Sequence, residues 1–378
     1  MSVRLEPELH RDIARFGGGD VDACMNCGNC TAICKLSTED NSFPRRIMHY
    51  LQIGNREKLL HSADPWLCYY CGDCSESCPR EANPGETMMA ARRYLTSSYD
   101  WTGLSRKIYT SLAWEIISVL VVGLIVVSLF FFLHGPMVTD RVEINTFAPS
   151  EWVEFGDLTM AALLTFFLLT NAFRMYRNIM SADQSMKIPF SAYIRSIPTF
   201  FEHFAIQKRW HQYGVRRRWL RHFLLVTGYL TMLTLVLFFL RWFQTDIVHP
   251  IWHPQRLLGY YATAVLLWAT GDMMISRWKK RDGEMHKFTE PTDWMFLILL
   301  FLTTLTGIVF HLFRITGFPM LTYYAYVVHL SIAVPMLVIE VPFSKWSHLL
   351  YRPLAIYLVT VKERAKEQPA LSVAMATH

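Results

Sequence analysis

The sequence predicts an all-α chain in two parts, a small helical domain in front and a bundle of six membrane-crossing helices behind it. Three observations carry this. Residues 1 to about 100 are polar and mixed in charge, while the rest alternates long apolar runs with short basic ones. Six of the apolar runs are long enough to cross a hydrocarbon core of about 30 Å as helices. In the front domain, apolar residues recur at helical spacing with no strand-like alternation. The expected boundaries are 1–100 for the front domain, 101–365 for the membrane domain, and 366–378 for a flexible tail that has no periodic apolar face.

Between two cysteine-rich loops, residues 44–60 place Ile47, Met48, Leu51 and Ile53 on one helical stripe. A second helix is expected over 86–95, behind the Asn83-Pro84-Gly85 turn. The loops hold all eight cysteines in two copies of one pattern: Cys24, Cys27, Cys30, Cys34 and then Cys68, Cys71, Cys74, Cys78. This C-x₂-C-x₂-C-x₃-C spacing wraps a cubane [4Fe–4S] cluster, so two copies imply two clusters. In two-cluster ferredoxins the fourth cysteine ligates the other cluster. By that rule one set is Cys24, Cys27, Cys30 and Cys78, and the other is Cys68, Cys71, Cys74 and Cys34. Structural zinc would leave cysteines unused, since it pairs two C-x₂-C knuckles. Residues 1–16 are polar and lack the apolar stretch of a secretory signal, so disulfides are not expected. Pro79 follows the second motif, whereas Lys35 stands at the matching place in the first. The front domain therefore reads as a helical two-cluster ferredoxin domain.

The six spans are expected at 108–133, 155–175, 219–243, 257–278, 294–313 and 320–343. A chain of 378 residues cannot bury six such helices in a soluble core. Its formal charge of +6 lies beside the apolar runs, which points to membrane lipid and not to nucleic acid. Basic residues crowd two connections. Arg174, Arg177, Lys187, Arg195, Lys208, Arg209, Arg216, Arg217, Arg218 and Arg221 lie around spans two and three; Arg277, Lys279, Lys280, Arg281 and Lys287 lie between spans four and five. The opposite connections carry few, so the termini and clusters are expected on the cytoplasmic face of the inner membrane. Residues 179–218, broken by Pro189 and Pro198 and rich in aromatics, are expected as amphipathic interfacial helices.

Imidazoles in hydrocarbon are costly unless ligated or hydrogen-bonded, so histidines in or beside spans are functional candidates. His222 opens span three and His348 follows span six, at one depth and on different segments, which suits bis-histidine ligation of haem b. His329 precedes His348 by nineteen residues, about 28 Å on a continuous helix, so it could serve a second haem. Its partner is His311 on span five, or Met232 on span three. Glu115, Asp272 and Glu340 also enter the spans and are expected to pair with nearby Arg and Lys, a proton relay being the alternative. No nucleophile, substrate pocket or nucleotide motif is visible, so catalytic residues stay unassigned.

The cysteine motifs in a helical domain, followed by basic-looped spans with these histidines, resemble a known pair of modules. The front hundred residues look like the small iron–sulfur C subunit of heterodisulfide reductase. The rest is similar to the cytochrome b (E) subunit of that enzyme and to the gamma subunit of respiratory nitrate reductase. His222, His329 and His348 fit that pattern, whereas Met232 stands where it implies a histidine. The fusion is similar to the membrane subunits of quinone-interacting membrane-bound oxidoreductases of sulfate reducers. That resemblance implies electron exchange between menaquinone and cytoplasmic flavin- and iron–sulfur-containing subunits, similar to the flavin-bearing A subunit of heterodisulfide reductase and ultimately serving adenylylsulfate reductase. Two alternatives remain open: the membrane component of a heterodisulfide-reductase-like or sulfite-reduction-linked complex, and a haem-free membrane-anchored iron–sulfur redox sensor.

Overall fold

The computed structural model describes residues 4–182, 187–213, 216–281 and 289–376. Helices dominate, and the described residues contain two isolated bridges and no strand. The front domain winds through α1 (Leu9–Ala14), α2 (Asn29–Ile33), α3 (Arg45–Gln52), α4 (Arg56–Leu60), α5 (Asp64–Leu67), α6 (Asp73–Glu76) and α7 (Pro84–Tyr99). Helix α7 is its axle: α1, α3, α5 and α6 all pack on it. Proline at its first position, behind Asn83, starts it without losing a backbone hydrogen bond. The core gathers Ile13, Phe16, Ile47, Met48, Leu51, Leu59, Met88 and Leu95. Three of the four residues of the stripe read over 44–60 are thus in the core, while Ile53 is exposed.

The core does not stop at residue 100. It continues into Ala172, Met175 and Ile179 at the end of one long helix, and into Tyr351, Ala355 and Leu358 of the last. Trp66, Tyr99 and Tyr351 meet there edge-on or stacked, with ring centres 5.4 to 6.4 Å apart. The front domain is therefore seated on the bundle. Arg106 pairs with Asp12 and Arg174 donates to the Ser98 carbonyl across the same seam.

The bundle follows as α8 (Leu104–Thr110), α9 (Leu112–Leu133), α10 (Ile144–Phe147), α11 (Ser150–Ser181), α12 (Phe190–Ala205), α13 (Lys208–Tyr213), α14 (Arg216–Phe238), α15 (Leu240–Phe243), α16 (Pro254–Trp278), α17 (Pro291–Thr316), α18 (Pro319–Pro335), α19 (Val341–Phe343) and α20 (His348–Ala376). Helix α14 packs on α16, α16 on α17, α17 on α18 and α18 on α9; α12 lies along α20. Leu225, Leu266, Leu297, Leu300, Met336 and Trp346 fill the centre. Outward, α9 bares Ile117, Leu120, Leu124, Phe131 and Phe132, an apolar surface suited to lipid.

Among the described residues, five helices are long and apolar enough to cross a membrane: α9, α11, α14, α17 and the run Pro319–Phe343. The expected span at 257–278 forms helix α16 but is not among them, because Gly259, Tyr260, Tyr261, Thr263, Thr270, Gly271 and Asp272 dilute its apolar character. The continuous helix expected to carry both His329 and His348 is broken. Met336–Glu340 loosens into a π-turn, Ser344 leaves helical geometry, a 3₁₀ turn spans Lys345–Ser347, and α20 starts anew at His348. Pro335 and Pro342 bracket the π-turn, and each removes a backbone donor. The tail expected from 366 continues α20 as far as Ala376. Pro198 sits inside α12 without ending it. Lys287, counted in the basic turn, lies outside the described residues.

Candidate functional site

The two cysteine loops are built alike. Asn26 and Tyr70, one residue before the second cysteine of each motif, take φ of 56° and 53°; Gly28 and Gly72, one residue after it, take 87° and 97°. This doubled left-handed kink curls each loop around its first three cysteines, and glycine takes the second position without steric cost. Gly28 and Gly72 then open the short helices α2 and α6, which pack on each other and bring Cys34, the fourth cysteine of the first motif, to the second loop. Cys34, Cys68, Cys71 and Cys74 line one cavity. Burial pushes the Cys34 thiol up to about 11, and neighbouring Cys68 and Cys71 push in the same direction. Burial also raises Cys74, with Cys68, Cys71 and Cys34 adding to it. Cys30 is raised by burial and then by Cys24 and Cys27. Asn29, between Cys27 and Cys30, donates to the carbonyl of Ser77, the residue before Cys78.

Among the described residues, no three His, Cys, Asp or Glu side chains converge tightly enough to hold a single metal ion. Four thiolates on one zinc at about 2.3 Å would do so. A cubane gives each sulfur its own iron and asks for a wider spacing around a hollow, which is the form of the Cys34–Cys68–Cys71–Cys74 cavity.

A larger cavity, of about 280 Å³, lies where the front domain meets the bundle, and His222 and His348 both line it. Their ring centres are 6.1 Å apart and the planes tilted by 59°. His222 Nδ1 lies 2.8 Å from Gln207 Oε1, and His348 Nδ1 is hydrogen-bonded to the Lys345 carbonyl. Both Nδ1 atoms are thus occupied by acceptors, which leaves the Nε2 atoms for the cavity. The Trp210 ring stands edge-on to His222 at 4.6 Å. The break at Ser344 matters here: it turns the chain so that His348 heads a new helix, with Lys345 before it and Arg352 one turn after it.

The two cavities share a wall, since Tyr69 and Tyr70 line both. Arg352 donates to the Cys68 carbonyl at 2.9 Å, and its guanidinium lies 4.6 Å over the Tyr69 ring. Arg92 donates to the same carbonyl. Below them, buried Asp293 at the start of α17 meets Arg93 at 3.2 Å, Arg277 at 3.7 Å and Lys345. Arg93 also pairs with Glu86 at 3.1 Å. Burial alone would pull the Arg93 guanidinium down, but Asp293 and Glu86 more than offset this and hold it charged.

The other sequence candidates lie elsewhere. His329 Nδ1 is 3.2 Å from the Thr306 hydroxyl and its ring faces Gly307. His311 Nε2 is 3.0 Å from the Tyr260 hydroxyl, about one helical turn further along α17. Met232 packs against the central core. Of the three acids, Asp272 pairs with Arg221 at 2.6 Å and Arg217 at 3.3 Å, as expected. Glu115 and Glu340 form no ion pair among the described residues: both are fully buried, Glu115 without a hydrogen-bond partner and Glu340 beside the Ser344 hydroxyl and the Lys345 backbone N–H. Sequence reading missed Arg92, Arg93, Asp293, Lys345, Arg352 and Gln207. The available signal was Lys345 and Arg352 at three and four residues from His348, within one helical turn.

Residues 20–82 match the family model of the 4Fe–4S dicluster domain. The chain is similar to a protein of Archaeoglobus profundus that is like the C subunit of heterodisulfide reductase, 34% identical over 104 residues, 26% of this chain and 55% of that protein. It is also similar to the iron–sulfur C subunit of the CoB–CoM heterodisulfide reductase of Methanopyrus kandleri, 36% identical over 72 residues, covering 19% and 38%. A third relative is the C subunit of the H(2):CoB-CoM heterodisulfide,ferredoxin reductase of Methanothermobacter marburgensis, 26% identical over 88 residues, covering 23% and 48%. The chain spans about half the length of the curated relatives it matches, or less. No solved structure matches it.

Proposed function

We propose that this chain is a membrane electron-transfer subunit linking menaquinone in the bilayer to cytoplasmic flavin- and iron–sulfur-containing partners. The observation that carries this reading is the shared wall between the two cavities, where Arg352 ties the helix of His348 to the backbone of Cys68. The cysteine sets Cys24, Cys27, Cys30, Cys78 and Cys34, Cys68, Cys71, Cys74 would each hold a [4Fe–4S] cluster, which supplies one-electron storage. His222 and His348 would hold haem b, which supplies one-electron exchange within the membrane.

The fit for a haem rests on two features of the histidine pair. The His222 and His348 rings face one another across the cavity with centres 6.1 Å apart, and both would offer Nε2 to a haem iron held between them. Their Nδ1 atoms are fixed by Gln207 and Lys345, as ligating histidines usually are. From His348 to Arg352 is about 6 Å along the helix, and one hydrogen bond then reaches Cys68. The set that includes Cys68 is therefore the one nearest the membrane. Each set has one exposed cysteine, Cys71 in this one and Cys27 in the other, and the other adds exposed Met25 beside Cys27 as a surface for a partner. His329 with His311 or Met232 is kept as the ligand set of a second haem. Membrane insertion with cytoplasmic termini, and service to adenylylsulfate reductase, belong to the same reading.

The test is a pyridine haemochrome assay with EPR on the purified complex. At least one haem b per chain is expected, lost in His348→Ala, together with two cluster signals that appear on adding quinol. A chain with clusters and no haem, indifferent to His222→Ala and His348→Ala, would sink this reading in favour of a membrane-anchored redox sensor. Capture of a heterodisulfide-reductase-like or sulfite-reduction-linked partner in place of the expected one would keep the wiring and change the complex.

A further inference from the structure

Glu115 and Glu340 are an unexplained expense in this fold. Glu115 lies in the first turn of α9 and Glu340 closes the π-turn before α19; both are 0% exposed. Both carboxyl oxygens of Glu115 lack a hydrogen-bond partner, and Glu340 has only the Ser344 hydroxyl and the Lys345 backbone N–H within reach. Ile108, Ile339 and Phe343, with Val119, Val122 and Phe167, form an apolar jacket where these elements pack. The charged groups that face the pair are few. Glu340 faces Glu115, and Asp293 and Lys345 act on both. Tyr109 of α8 faces Glu340. Lys345 is already committed to Asp293, so it does not balance two further carboxylates.

An ionised carboxylate without a partner in such a jacket is far costlier than a protonated one. Two neighbouring carboxylates add mutual repulsion, so both cannot ionise together. The pair therefore holds at least one proton. It is also connected: Tyr109, Asp293 and Lys345, which face it, line the histidine cavity. A π-turn of the kind that carries Glu340 is frequent at functional sites and rare elsewhere.

We propose that Glu115 and Glu340 form a proton-exchange site, reached from the histidine cavity past Tyr109 and the Asp293–Lys345 pair. When an electron enters the cavity, a hydronium ion in the cavity water breaks one of its O–H bonds, leaving water, and its proton forms an O–H bond on the carboxylate of the pair that is still ionised. When the electron leaves, that bond breaks and the proton returns to water, so charge balances in each direction. The electron comes from a hydroquinone or, in the test, from dithionite. The coupling rests on the proposed redox role of the cavity; the proton held at rest does not.

The native, cofactor-containing chain is studied in detergent by infrared spectroscopy, in H₂O and D₂O, between pH 6 and 8. A deuterium-sensitive band of a protonated carboxyl group is expected, and it shifts in the dithionite-minus-oxidised difference spectrum. Glu115→Gln and Glu340→Gln each diminish it, while Asp272→Asn, which alters an ion-paired acid, leaves it in place. Should the variants fail to fold, a hydrophobic carbodiimide, which needs a protonated carboxyl, is used on the native chain. Peptide mapping should then place the adduct on Glu115 or Glu340. A native chain with neither band nor adduct overturns the site, and a band that survives in both Gln variants does the same. A band that ignores reduction in a haem-containing chain overturns the coupling. A haem-free chain that keeps the band fails the functional reading above while leaving the proton site standing.

Discussion

Asn26 and Tyr70 share one backbone conformation, as do Gly28 and Gly72, although the motifs lie 44 residues apart. The side chains at the first pair differ completely, so it is the cluster-wrapping loop and not a side-chain contact that fixes the geometry. An L-residue in this left-handed region costs about 1–2 kcal/mol, and Gly72→Val should incur it where a β-branched side chain has least room. Iron content and thermal stability of the purified chain should both fall, while valine in place of Glu57, exposed on α4, is expected to change neither. The cross-over of the fourth cysteines gives a sharper test. Cys34→Ser should lose the same EPR signal as Cys68→Ser, and Cys78→Ser the same signal as Cys24→Ser. If each fourth cysteine instead follows its own motif, the cavity lined by Cys34, Cys68, Cys71 and Cys74 is not a cluster site. The cysteine pattern was plain in the sequence because ligand spacing is local. Arg93–Asp293, two hundred residues apart, was not, because nothing local records which buried cation meets which buried anion.

Elements carry the next layer. Asp293 sits at the head of α17 with Arg93, Arg277 and Lys345 around it, and so ties the front domain, α16, α17 and the turn before α20 together. Truncating one partner of a buried charge cluster strands the others and typically costs about 3–5 kcal/mol. Asp293→Asn should therefore loosen the front domain from the bundle and speed proteolysis in the connection after Tyr99. Unchanged proteolysis would reduce the cluster to a bystander. The break between α18 and α20 was hard to foresee, since apolar character runs through 320–343 and Ser344 is an ordinary residue. Two prolines seven residues apart, Pro335 and Pro342, were the legible hint. Helix α16 is the converse: its length was legible, but its mixed face against α14 and α17 is a tertiary property. Along α12, Phe190, Ile194, Ile197 and Phe201 are exposed on one helical stripe while Ala192, Ser196 and His203 are buried. That unburied stripe fits the interfacial helix expected over 179–218. Replacing Ile194 and Phe201 by Ser should leave α12 docked on α20 but lower the fraction of chain recovered in membranes after a carbonate wash.

At the scale of the whole molecule, charge and cysteines share one end. Arg216–Arg221 open α14, Arg277–Arg281 close α16, and Arg277 itself reaches Asp293, which holds Arg93 of the front domain. The basic end of the bundle is thus the end on which the cysteine domain is seated. The far end, around residues 134–149 and 241–256, carries few: Arg141 pairs with Glu143 at 2.6 Å and Arg241 with Glu154 at 2.7 Å, while Arg256 and Arg314 donate to the carbonyls of His249 and Ile247. Lysine and arginine are retained on the cytoplasmic side during insertion, so the seating of the cysteine domain on this basic end agrees with the proposed orientation. The prediction is specific to two exposed positions at opposite ends, Asp140 and Lys279. With a membrane-impermeant maleimide and the native cysteines held by their clusters, Asp140→Cys should label in right-side-out vesicles. Lys279→Cys should label only after inversion. The reverse pattern would put the cysteine domain outside, where no cytoplasmic flavin partner could reach the exposed face around Cys27, and the proposed direction of the wire would fail with it.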